Sequence, residues 1–187
     1  MKDEAFIKST LQKGKEAKEK AMLAFSNMSP EQLNWKPSAE SWSIAQCLEH
    51  LIIADSSYFP DLKKITEGTY KMGFWEKYSP FTGLCGRLMK DRMHEKATKK
   101  MIAPEKICPV SGKINYEIIE LYHKNVDLFL GYISKSKNVD LDKAIIASTI
   151  LQIVTYSLRD ALEFLVQHEH RHINQAERVK ENEHFPR

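Results

Sequence analysis

The feature that most constrains this chain is its last helical stretch. From Ser157 to about Lys180, Leu158, Ala161, Leu165, Ala176 and Val179 recur at helical spacing and form one apolar stripe. His168 and His172 are four residues apart and therefore stack on one helix face. At about 100° per residue, both fall on or beside the stripe. A helix of this kind must bury its striped face, and it carries two imidazoles inward with it. Its start is marked by Ser157, whose hydroxyl can cap the helix, with Asp160 near the positive end of the dipole. His170 points the opposite way and is expected in solvent.

One histidine on an apolar stripe reads first as a satisfied core residue. A stacked pair does not, because two partly desolvated imidazoles side by side are costly without a shared cation or partner. Neutral imidazole is the commonest side-chain ligand for zinc-like ions, so the pair forms a ready clamp. His50 is the best-placed third ligand, at the edge of the apolar face of an earlier helix beside Cys47 and Ala54. His94 and His184 sit in charged surroundings, and His123 lies off the main stripe of its helix. His50, His168 and His172 together are expected to hold one divalent ion and to leave a coordination position open.

His168-Glu169-His170-Arg171-His172 also matches H-E-x-x-H of zinc proteases literally. That motif needs a further ligand downstream and a sheet edge to align a peptide. Here 15 residues follow His172, Gln175 stands at the metzincin glycine position, and strand signals are sparse. The protease reading is set aside, but its chemistry is kept. Glu169 faces the core beside the two histidines, where it can orient or deprotonate a metal-bound water or support a ligand.

The rest of the chain supplies helices to pack against. A first helix is expected from about Asp3 to Asn27, with Ser29-Pro30 ending or restarting it. The second begins at Ser43-Ile44-Ala45-Gln46, a capping box with Trp42 and Cys47 placed to form a hydrophobic staple. Ile44, Cys47, Leu48, Leu51 and Tyr58 continue it to Glu67-Gly68. Residues 68 to about 113 carry five of the seven glycines and three of the seven prolines and form an inserted segment between helices two and three, with a shorter helix over about 82–101. Phe74, Trp75 and Phe81 within it are candidates for core packing or for lining an opening. A third helix is expected over about 114–135, while 139–156 is apolar and β-branched and fits either an extended or a helical reading. The fold class is thus all-α, a four-helix bundle, with residues 1–187 forming one domain.

Composition limits the function classes. Net charge is +3 and hydrophobic residues make up 42% of the chain, so there is no strong pull toward nucleic acid and no sign of a disordered chain. The basic run Arg87–Lys106 also holds Asp91, Glu95 and Glu105, and it reads as a solvated helix face. No stretch approaches the roughly 20 apolar residues of a membrane span. The start, MKDEAFIKST, lacks the apolar core of a signal peptide, and Cys47, Cys85 and Cys108 form no CxxC pair. A cytoplasmic protein without disulfides is the expectation, with Cys47 in the core.

Trp42-Ser43-Ile44-Ala45-Gln46 followed by Glu49-His50-Leu51, and His168-Glu169-x-x-His172-x-x-Gln175 near the end, resemble the DinB/YfiT-like superfamily. The likeness extends to Asn34-Trp35-Lys36-Pro37 before the second helix. It implies a four-helix bundle with a single metal near one end, held by His50, His168 and His172, and a homodimer. Gln175 is implied as a partner supporting a ligand. A frequent H-H-R-G-Q ending is replaced by Arg171-His172-Ile173-Asn174-Gln175, so Asn174 stands where glycine is common.

Several members resemble transferases or isomerases that use bacillithiol, mycothiol or glutathione, and others are described as metal-dependent hydrolases. Three function classes follow for a small-molecule substrate. In a thiol transferase the metal binds and ionises a low-molecular-weight thiol. In a hydrolase it activates water, with Glu169 as base. In a non-enzymatic module it is a clip or sensor. Three imidazoles suit zinc or nickel, with iron a further candidate.

Overall fold

Three helices begin on a serine in the computed structural model, which describes residues 2–93, 103–110 and 112–187. Ser29 opens α2 (Pro30–Asn34) and Ser43 opens α3 (Ile44–Thr66), each with both halves of a capping box in place. Ser157 opens α7 (Leu158–Lys180) by accepting from the Asp160 amide. Each serine oxygen satisfies an amide that has no partner within its helix, a contribution of about 1 kcal/mol. α3 stops at Gly68, where φ is +71° and the amides of Gly68 and Thr69 reach back to the Ile65 and Lys64 carbonyls. A left-handed residue is needed there, and glycine adopts it without strain.

The long helices are α1 (Lys2–Phe25), α3, α6 (Ile118–Lys135) and α7. Neighbours around the bundle are α1 and α6, α6 and α3, α3 and α7, and α7 and α1. That leaves α1 opposite α3 and α6 opposite α7. Leu48, Leu51 and Leu62 of α3 meet Leu158, Leu162 and Leu165 of α7 in one core cluster, all but fully buried. Each such side chain contributes at most about 2 kcal/mol. Cys47 lies in the same core, and burial pushes its thiol up to about 12. All three cysteines are free.

The inserted segment forms α4 (Phe74–Tyr78) and α5 (Thr82–Met93), followed by a single 3-10 turn at Glu105–Ile107. α5 packs on α7, and at Gly86 an added Cβ would lie 2.2 Å from an Asp160 carboxylate oxygen. Lys90 of the basic run is spent on that contact, pairing with Asp160 at 2.7 Å and Glu163 at 3.4 Å. The part of the expected helix beyond Met93, with His94, lies outside the described residues.

One expectation needs revision and one open reading is decided. The third helix starts at Ile118 rather than near 114, because Asn34 holds both backbone groups of Ile114 and the Asn115 side chain accepts from the Glu117 amide. The open stretch 139–156 contains a small hairpin, β1 (Ile145–Ala147) antiparallel to β2 (Thr155–Ser157), with Ile146 opposite Tyr156. The bundle is therefore helical except for this one pair of short strands among the described residues. None of their helices is long and apolar enough to cross a membrane.

Candidate metal centre

The apolar stripe of α7 faces α3, and the imidazoles of His168 and His172 turn inward with it, both less than a tenth exposed. His50, in the second turn of α3, is equally buried and meets them. Its Nε2 lies 3.1 Å from His168 Nε2, and one nitrogen from each of the three rings falls within 4.8 Å of the others. Trp42, just ahead of the α3 cap, closes one side, with its ring centroid 5.7 Å from His172 and 4.8 Å from His50.

Burial decides the protonation of this cluster. It pushes His168 down to about 3 and His172 well below the usual histidine value, with the neighbouring imidazoles adding to the effect. His50 moves the same way for the same first reason, opposed by its bond to the Ile107 carbonyl. All three rings are thus neutral near pH 7, the state in which imidazole offers a lone pair.

The donor set fits a divalent ion. Zinc-to-nitrogen bonds of about 2.0–2.1 Å place tetrahedral ligand nitrogens roughly 3.3 Å apart, close to the spacing between His50 and His168. His172 Nδ1 is buried with no hydrogen-bond partner. Gln175 lies close enough to favour its charged form but does not meet hydrogen-bond geometry in this conformation. His50 Nδ1, by contrast, contacts the Ile107 carbonyl at 2.7 Å. With the proton on Nδ1, the Nε2 lone pair is free for the ion.

Other sequence-predicted residues fall elsewhere. His170 corrects the expectation of a solvent position: it is half-buried, with Nε2 2.9 Å from the Lys13 carbonyl of α1. His123 and His184 lie outside the cluster. Phe74 and Trp75 line a groove of about 810 Å³ with the hairpin tip, and Phe81 is not among its lining residues. That groove contains none of the three histidines, although Lys106, next to Ile107, reaches it.

Glu169 is buried as its helical angle implies, and its described partners are not the imidazoles. Its Oε2 accepts from the Tyr122 hydroxyl at 2.5 Å, across the centre of the bundle from α6. Its carboxyl also faces Asp55 of α3, which sequence reasoning missed. If both groups are anions, neither Asp55 oxygen has a donor; one proton between them supplies the missing hydrogen bond. Burial raises both carboxyls, Asp55 the more firmly because Glu169 adds its charge, while the bonds from Asp55 and Tyr122 offset part of the rise at Glu169. A signal for Asp55 existed, since it interrupts the stripe Leu48, Leu51, Tyr58, Leu62, Ile65 at the register of a core position.

No curated protein and no solved structure matches the chain. A family model does, over residues 15–176, and that span includes all three histidines, Glu169 and Gln175. The chain belongs to the DinB superfamily.

Proposed function

We propose that this protein is a metal-dependent transferase that acts on a small electrophilic substrate with a low-molecular-weight thiol. The observation that carries the reading is the group of three neutral, buried imidazoles whose nitrogens converge within 4.8 Å. Three protein ligands leave a position for an exogenous donor, which a structural site of four would not. A divalent ion there, zinc or nickel by its donor set, supplies positive charge that lowers the pKa of a thiol or a water.

The chain's own groups do the rest. His50 is oriented by the Ile107 carbonyl, and Trp42 shields the rings from one side. Glu169 is the proposed proton-handling residue, supported by its burial beside His168 and its raised carboxyl. Tyr122 and Asp55 hold that carboxyl in place on the ligand helix. The exposed Phe74, Tyr78, Phe81, Leu84 and Leu88 of the insertion offer a surface for the homodimer that belongs to this reading.

The alternative is a hydrolase using the same open position, with Glu169 as base. The two separate in one experiment. Metal-loaded protein is incubated with an electrophile and bacillithiol, mycothiol or glutathione in turn, then without thiol. Turnover that requires one thiol supports the transferase, and thiol-independent turnover supports hydrolysis. Absence of turnover with tight metal binding overturns both and leaves a binding module.

A further inference from the structure

The first turns of α3 carry two polar side chains that converge on one residue of a distant segment. Gln46 Nε2 donates to the Val110 carbonyl at 2.8 Å, and Glu49 Oε2 accepts from the Val110 amide at 2.7 Å. Both backbone groups of Val110 are thereby taken by side chains of a helix, much as a neighbouring strand would take them. Asn34 treats Ile114 the same way, at 2.9 and 2.8 Å. Between Pro104 and Val110 no side chain is buried, so apolar packing does little to hold this strap down. Polar clamps hold it instead.

The strap matters because of what it brings to the histidines. Ile107 lies three residues before Val110, and its carbonyl accepts from His50 Nδ1 at 2.7 Å. A neutral imidazole has one N–H, and the partner of that N–H selects the tautomer. With Nδ1–H bound to Ile107, Nε2 carries the lone pair and faces His168 Nε2. Gln46 and Glu49 touch neither ring partner, and they act through the backbone between Ile107 and Val110.

We infer that Glu49, assisted by Gln46, is a positioning residue for the metal centre: it grips Val110, holds the Ile107 carbonyl against His50, and keeps His50 Nε2 bare. The inference rests on the reading of His50 as a ligand, but the tautomer can be read without any metal. Glu49 is half-buried on a helix, where alanine is favourable, so Glu49→Ala keeps the fold. Glu49→Gln retains an oxygen for the Val110 amide and serves as the rescue. Gln46 is the poorer target, because its side chain also completes the α3 capping box.

The test begins with long-range ¹H–¹⁵N spectra of histidine side chains in metal-free protein. Wild type and Glu49→Gln should show His50 as the Nδ1–H tautomer, and Glu49→Ala should show a mixture. Zinc affinity by chelator competition should then fall about 10-fold in Glu49→Ala, the low end for loss of a group supporting a ligand, and recover in Glu49→Gln. An unchanged tautomer and affinity in Glu49→Ala overturns the inference while leaving the metal reading intact. A Glu49-dependent tautomer in a wild-type protein that binds none of zinc, nickel and iron upholds the positioning of His50 and sinks the metal reading.

Discussion

Along the contact between α3 and α7 the bundle buries two polar clusters, and burial drives them in opposite directions. His50 and Asp55 are five residues apart on α3, and His168 and Glu169 are adjacent on α7. At the histidine end, desolvation strips protons and leaves three lone pairs converging with one orphaned nitrogen. At the carboxyl end, the same desolvation raises Asp55 and Glu169 and so favours one proton held between them, while Tyr122 donates to Glu169 Oε2. The charged form is penalised in both places. Neutral imidazoles are acceptors that need something positive from outside, whereas a neutral carboxyl is a donor that can complete its neighbour. The first cluster has the donor set of a metal site, and the second can complete itself with one shared proton.

The largest effect that would test this contrast is metal loss. Purified wild-type protein should carry about one divalent ion per chain, and His168→Ala should lose it, a greater loss than the 10–100-fold cost of removing a supporting group. Asp55→Asn should keep its metal. Elemental analysis after dialysis measures both, and full retention in His168→Ala would falsify the site assignment. Loss of metal in Asp55→Asn would instead show that the clusters are one unit.

Next in size is the carboxyl pair. Asp55→Ala leaves the buried Glu169 carboxylate with Tyr122 alone and should destabilise the fold by about 3 kcal/mol in urea titrations. Asp55→Asn keeps a donor toward Glu169 but cannot titrate. Because burial raises Asp55 above its ordinary 3.8, its contribution is fully present below that value. The contribution then drains as pH rises through the folded-state value. Wild type should therefore lose stability relative to Asp55→Asn as pH increases over that window. Parallel stability curves for the two proteins would refute the shared proton.

Smallest is Tyr122→Phe, which removes one hydroxyl bonded to a buried, charged acceptor. It should cost about 2 kcal/mol of stability and leave metal content unchanged. A loss of metal in this variant would tie the carboxyl network directly to the ligands.

The histidine cluster is legible in the sequence because two independent regularities coincide, i,i+4 spacing and an apolar stripe at the same helical angle. His50 is legible through its place at the edge of a second stripe beside Cys47. The α7 boundaries are legible because Ser157 and Asp160 are local signals. What escapes is set by distant partners. Asn34 determines where α6 begins by capturing Ile114, 80 residues away. Strands of three residues are too short to show a period, so the hairpin is hidden among β-branched residues. Glu169's inward direction is legible, but its chemistry depends on Asp55, which comes from another helix.

Ser157 carries a consequence for how this chain can vary in length. It ends β2, pairs with Ile145 and caps α7, so the hairpin and the helix share one fixed joint. Between that joint and His168 the helix has no slack, and a single inserted or deleted residue would turn the imidazoles by about 100° and shift them by about 1.5 Å. The hairpin tip between Ala147 and Thr155 is free of that constraint, because residues added there leave the joint where it is. Related chains should therefore differ in length at the tip and keep the interval from the capping serine to the first histidine constant.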